Sequence, residues 1–159
     1  MEDVSTGISS TVGVGASAAV LLSDACRLDL ESRDSLQLEV VRDLAEDLKD
    51  HFDSLAQTGT KDAGTADLLA EAALRCADLA NLAACNLPEL SETAAPQAAA
   101  AIHLSTGAAR ALSLLAESEA KDLENTHSDN VLRDARGARW RTDLATRQVD
   151  EFMRDSSRS

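Results

Sequence analysis

VLRDARGARWRTDLATRQVDEF, Val131 to Phe152, decides the fold. Val131, Ala135, Ala138, Thr142, Ala145, Val149 and Phe152 step alternately by four and three residues, one helical stripe sustained for three heptads. The rest of the stretch is charged, as the wet side of such a helix should be. Asp129–Arg133, Arg139–Asp143, Asp143–Arg147 and Asp150–Arg154 have the spacing of intrahelical ion pairs, each worth about 0.2–0.5 kcal/mol. Ser128 is a good N-cap, and the spacing predicts a last helix from there to about Arg154.

Upstream the same period recurs. Val4, Ile8, Val12, Gly15, Ala19, Leu22 and Cys26 form a stripe in a first helix over about residues 4–30. Gly13 and Gly15 each cost about 1 kcal/mol against alanine there, so they mark either a close approach of another backbone or a later helix start. Asp34 with Gln37 three residues on resembles a capping box for a second helix over 35–57, with Leu38, Val41, Leu44, Leu48, Phe52 and Leu55 inward. A third helix runs from Asp62 or Thr65 to Asn86, closed by Pro88, with Leu69, Ala72, Ala73, Cys76, Leu79, Ala80 and Ala83 inward. A fourth covers 94–125, with Pro96 in its first turn, where a missing N–H costs nothing.

Composition agrees. Alanine, the best helix former, supplies 29 of 159 residues, tyrosine is absent, and Phe52, Phe152 and Trp140 are the only aromatics. The expected fold class is all-α, an up-and-down bundle of four or five alanine-rich helices in one domain spanning 1–159, with 155–159 as a disordered tail.

The balance of 28 acidic against 15 basic residues disfavours nucleic acid and anionic lipid as partners. Abundant Asp, only three lysines and few aromatics match the habit of proteins from salt-in halophiles, where molar salt screens carboxylate repulsion to about 3 Å. Residues 127–159 are nearly balanced, which suggests that the Arg-rich face of the last helix meets acidic surface in this chain or a second copy. Cys26, Cys76 and Cys85 lack metal or redox spacing and read as small buried thiols. The apolar runs 12–22 and 94–116 do not qualify as membrane spans. The first is too short, and the second holds Pro96, Gln97, His103 and Arg110. MEDVSTG lacks the basic start of a signal peptide, so a cytoplasmic protein is expected.

EDLKDHFD, Glu46 to Asp53, is the stretch most like chemistry. Asp43, Asp47 and Asp50 share one helix side, and His51 stands one turn from Asp47, a spacing that lets both reach one divalent ion. EDLKD also looks like the aspartate-rich helix of terpenoid synthases, which holds magnesium and a diphosphate. The phase of the leucines, however, turns these acids outward, as a solvated face. Glu124 and His127 have the E-x-x-H spacing of di-iron bundles without the partners such a site requires. His103 is expected to be partly buried and bonded to backbone or Thr106, with Ser105 and Thr106 as packing residues.

KDAGTADLLAEAALRCADLANLAACNLPEL, Lys61 to Leu90, resembles the late helix of the formiminotetrahydrofolate cyclodeaminase and methenyltetrahydrofolate cyclohydrolase family. There a D-A-G start leads into a leucine–alanine helix that ends in Asn-Leu. GVGASAA, Gly13 to Ala19, is similar to that family's glycine-rich first helix. The resemblance covers about a third of the chain, and the family's P-G-G-G-S run is missing. It implies an all-α dimer with a folate-like ligand between subunits, near Gly13, Gly15, Ser17 and Asp62.

The leading expectation is a non-catalytic helical protein that dimerises through alanine-rich helix faces or binds a protein partner, with no cofactor. A leucine gains about 1.5–3 kcal/mol from full burial and alanine far less, so narrow alanine seams leave a reason to associate.

Overall fold

The structure, a computed structural model, describes residues 2–58 and 64–157. Five α-helices account for almost all of them: α1 Glu2–Leu30, α2 Leu36–Thr58, α3 Thr65–Asn86, α4 Ala95–Glu119 and α5 Asn125–Ser156. Short 3-10 turns at Leu87–Glu89 and Ala120–Asp122 close α3 and α4, and no strand occurs among the described residues.

The helices run up and down. Phe52 of α2 lies over Gly15 of α1, while Arg27 bonds Glu46, so those two are antiparallel. Asn86 and Glu71 of α3 meet Gln37 and His51 of α2 in the same reversed order. Arg110 and Glu117 of α4 meet Asp143 and Arg139 of α5 likewise. α4 is the central helix, packed on α1, α3 and α5; α5 fills the groove between α3 and α4, whereas α2 leans on α1 and barely touches α3.

The stripes are inside where their period puts them. Ile8, Val12, Ala19, Leu22 and Cys26 of α1 are buried, as is every inward residue expected of α3. Both glycines lie within α1. Gly15 is the close approach: a Cβ there would meet Cys76 Sγ at 3.0 Å and the Phe52 ring at 3.1 Å, while one at Gly13 would meet nothing within 4 Å. The α5 seam is buried from Val131 to Val149 against α3 and α4, with Phe152 half-buried. Those alanines are therefore packed inside one chain.

Several boundaries and contacts differ from expectation. Ser35, not Asp34, caps α2: its hydroxyl accepts from the Leu38 N–H at 3.3 Å, and Gln37 turns to Asn86 instead. α4 stops at Glu119. α5 begins before Ser128, with Glu124 at its N-cap, and it runs to Ser156, where Ser156 and Ser157 hydroxyls bond back to the Phe152 and Met153 carbonyls. Two arginines of α5 reach across to other helices. Arg139 bonds Glu117, Arg141 bonds Asp78 at 2.8 Å, and Asp143 accepts from Arg110 at 2.7 Å, so the basic helix does meet acidic surface within the chain. His103 is exposed, not partly buried, while the buried Ser105 hydroxyl donates to the Ala101 carbonyl at 2.6 Å. Cys26 and Cys76 are buried, but Cys85 is exposed. Gly7–Leu30 and Ala95–Asp122 are long and apolar enough, by length and composition alone, to cross a membrane; 44% and 56% of the apolar 18-residue stretch within each is buried inside the bundle.

One knot ties the connections together. Asp29 is buried at the end of α1 and accepts from the Ser91 N–H at 2.8 Å, the Ser91 hydroxyl and Arg33 Nη2 at 3.1 Å. Arg33 also donates to the Glu89 carbonyl. Burial by itself would raise the Asp29 carboxyl, but the Ser91 and Arg33 hydrogen bonds outweigh it and hold the group below the ordinary carboxylate range. The α1–α2 turn is thereby fastened to the α3–α4 link.

Candidate interaction surfaces

The row Leu38, Val41, Ala45 and Phe52 is the face of α2 that α1 covers. Leu44, expected inside, is 45% exposed, and Leu48 and Leu55 are only half-buried. The reason is the thin α2–α3 contact: α3 has turned its buried face to α4 and α5 and leaves α2 with little to pack on. A cleft of about 400 Å³ results, floored by Leu44, Leu48 and Leu82 and rimmed by Asp47, His51, Arg75 and Asp78. Gln37 and Asn86 bridge the helices toward one end at 2.7 Å, and His51 Nε2 lies 3.1 Å from Glu71 Oε1 toward the other.

The charged side chains of Glu46–Asp53 go different ways. Glu46 accepts from Arg27 Nη2 at 2.5 Å and from the Ser23 hydroxyl at 3.0 Å, bonds that hold its carboxyl below the usual range. Asp43 accepts from Arg42 at 2.7 Å. Lys49 donates to Asp53 at 2.6 Å and lies 3.8 Å from Asp50, a pairing that raises the lysine above its ordinary value. Asp47 stands at the cleft rim and His51 is taken by Glu71. Among the described residues no three His, Cys, Asp or Glu side chains converge as a metal site would require. His127 Nε2 lies 2.8 Å from Asp67, away from Glu124.

Gly13, Gly15 and Ser17 share α1, but the space over Gly15 holds the Phe52 ring and the Cys76 thiol. Ser17 is exposed and donates to the Gly13 carbonyl at 3.0 Å. Asp62 lies outside the described residues.

A second surface lies on α4 and α5. From Pro96 to Leu115 the only charge is Arg110, and Asp143 neutralises it. Leu104, Leu114 and Leu115 are exposed along that helix. The Arg110–Asp143 and Glu117–Arg139 pairs bracket Leu114 and Trp140, which puts these two level on neighbouring helices. Leu114 is 58% and Trp140 68% exposed.

Two features eluded the sequence reading although each left a trace. Asp29 continues the α1 stripe beyond Leu22 and Cys26 by a step of three, so a carboxylate stood on an inward row. Leu36, Val40, Leu44 and Leu48 repeat every four residues, a second apolar row beside the covered one.

Compared with family models, curated proteins and solved structures, the chain matches none.

Proposed function

We propose that this protein is a non-catalytic helical assembly protein whose α4–α5 face seats a second copy of itself. The observation that carries the reading is the run from Pro96 to Leu115, whose one charge, Arg110, is answered by Asp143, beside an exposed Trp140 on a chain of net charge −13. Two such chains repel wherever acidic surfaces meet. A face without net charge lets two copies approach, and the contact is self-complementary, as a two-fold dimer requires. Pairing α4 antiparallel with its mate about a point near Ala109 sets Leu104 opposite Leu114 and Gly107 opposite Ala111. Trp140 lies at the flank, a residue type that often dominates interface energy. The composition supports a setting in a salt-rich cytoplasm.

Trp140 is the single tryptophan and serves as the reporter. Light scattering after gel filtration in molar KCl should give a dimer or larger, and indole emission should shift blue as concentration rises. Leu114→Glu and Trp140→Asp should each give a monomer with unchanged helicity. A wild-type monomer at every concentration, or variants that stay dimeric, would remove the reading.

A further inference from the structure

We propose that the α2–α3 groove is a docking site for a basic amphipathic helix of another protein. The second apolar row of α2 starts at Leu36, 76% exposed, passes Val40 at 49%, and runs through Leu44 into Leu48, where it meets Leu82 of α3 at the cleft floor. From Leu36 to His51 this side of α2 spans 16 residues, 15 rises or about 22 Å of helix, longer than the cleft that Leu44, Leu48 and His51 line. That length matches four turns of a partner helix laid along the groove, with anchors at helical spacing.

Charge decides what the helix carries. Glu39, Asp43, Asp47 and Asp50 run beside the apolar row, one step around α2, as a row of four carboxylates. Arg42 answers Asp43, and Lys49 stands only loosely by Asp50. On α3 the cleft's Arg75 and Asp78 oppose each other at 3.6 Å, and Asp78 also takes Arg141. The excess is negative. A second copy of this chain would bring the same carboxylates against acidic surface, whereas Lys or Arg flanking a leucine row would find opposite charge on the α2 side. The acidic row that resembles a metal motif in sequence thus becomes the flank of a groove.

The test uses the full chain and a synthetic peptide of about 18 residues with leucines on one helical face and lysines on its flanks. One control keeps the leucines and replaces lysine by glutamate; another scrambles the lysine peptide. The lysine peptide should bind about tenfold or more tightly than either control, lose affinity as salt rises, and shift the amide resonances of residues 36–51 and 75–86. Val40→Asp and Leu44→Asp, both at exposed positions, should each weaken it about tenfold or more, while Trp140→Asp leaves it unchanged. Equal binding of the scrambled lysine peptide, amide shifts elsewhere, or full affinity in both variants would overturn the proposal. So would conversion of a dimer to a monomer by Leu44→Asp, because a second copy would then own the groove.

Discussion

Gly13 and Gly15 are two residues apart in one helix, yet alanine should act oppositely at each. In a helix interior the change gains about 1 kcal/mol. At Gly13 nothing stands within 4 Å of the new methyl, so the gain is kept. At Gly15 the methyl would lie 3.0 Å from Cys76 Sγ and 3.1 Å from two atoms of the Phe52 ring, all buried. Overpacking of this kind costs about 1–3 kcal/mol, and a packed ring cannot swing away as an exposed side chain could. Gly15→Ala should therefore end between neutral and a loss of about 2 kcal/mol, while Gly13→Ala gains up to about 1. For a chain of this size 1 kcal/mol moves the melting midpoint by about 2–4 °C. Thermal unfolding followed by circular dichroism, with urea titration as a cross-check, would order the three proteins. Phe52→Leu supplies the internal control: with the ring gone, Gly15→Ala should cost less than in wild type, a non-additivity expected only of touching side chains. Gly15→Ala melting at or above Gly13→Ala would refute the close approach of α1 to α2.

Asp29→Ala should destabilise by about 1–3 kcal/mol, by leaving the Ser91 N–H and hydroxyl without their acceptor. Because the folded Asp29 titrates below its ordinary 3.8, its contribution is full above that pH and is lost as pH falls through the lower folded value. The wild-type-minus-variant stability difference should shrink over that window in acid titrations of urea unfolding; a difference flat with pH would exclude the knot. Burial pushes the Cys76 thiol up to about 12, and burial, then the Asp29 charge, push Cys26 up to about 11. A disulfide reagent at neutral pH should therefore modify Cys85 quickly in the native protein and the other two only on unfolding, and fast loss of all three thiols would contradict the core packing. With 28 acids against 15 bases, repulsion outweighs the cross-helix pairs, so the melting midpoint should rise with KCl up to molar concentration; a fall would assign more stability to those pairs than exposed bridges normally carry.

What the sequence made legible was periodicity. The α5 seam and the α1 and α3 stripes fix the residues that must be covered, and short breaks between long helices leave little besides antiparallel neighbours. Which neighbour covers which stripe is not written there. Leu44 and Leu48 share a helix with Phe52 and look equally apolar; only the preference of α3 for α4 and α5 leaves them at a cleft. Arg139 likewise had Asp143 four residues away and took Glu117 from another helix, and Arg141, with no acid at that spacing, took Asp78. The knot at Asp29 joins residues 62 apart, a distance over which no local pattern operates. Asp43, Asp47 and Asp50 were readable as an acidic helix side, but the groove beside them required the third dimension.

The peripheral seat of α2 has a consequence for how the bundle breathes. α3 and α4 share extensive contacts with each other and with α5, whereas α2 is fastened along one flank, with Phe52 its largest wholly buried side chain. Lifting it exposes less apolar area than melting the centre, so its amide protons should exchange with solvent through a sub-global opening, while those of α3 and α4 wait for complete unfolding. Any molecule seated between α2 and α3 would close that opening, and the protection it conferred would measure its own affinity.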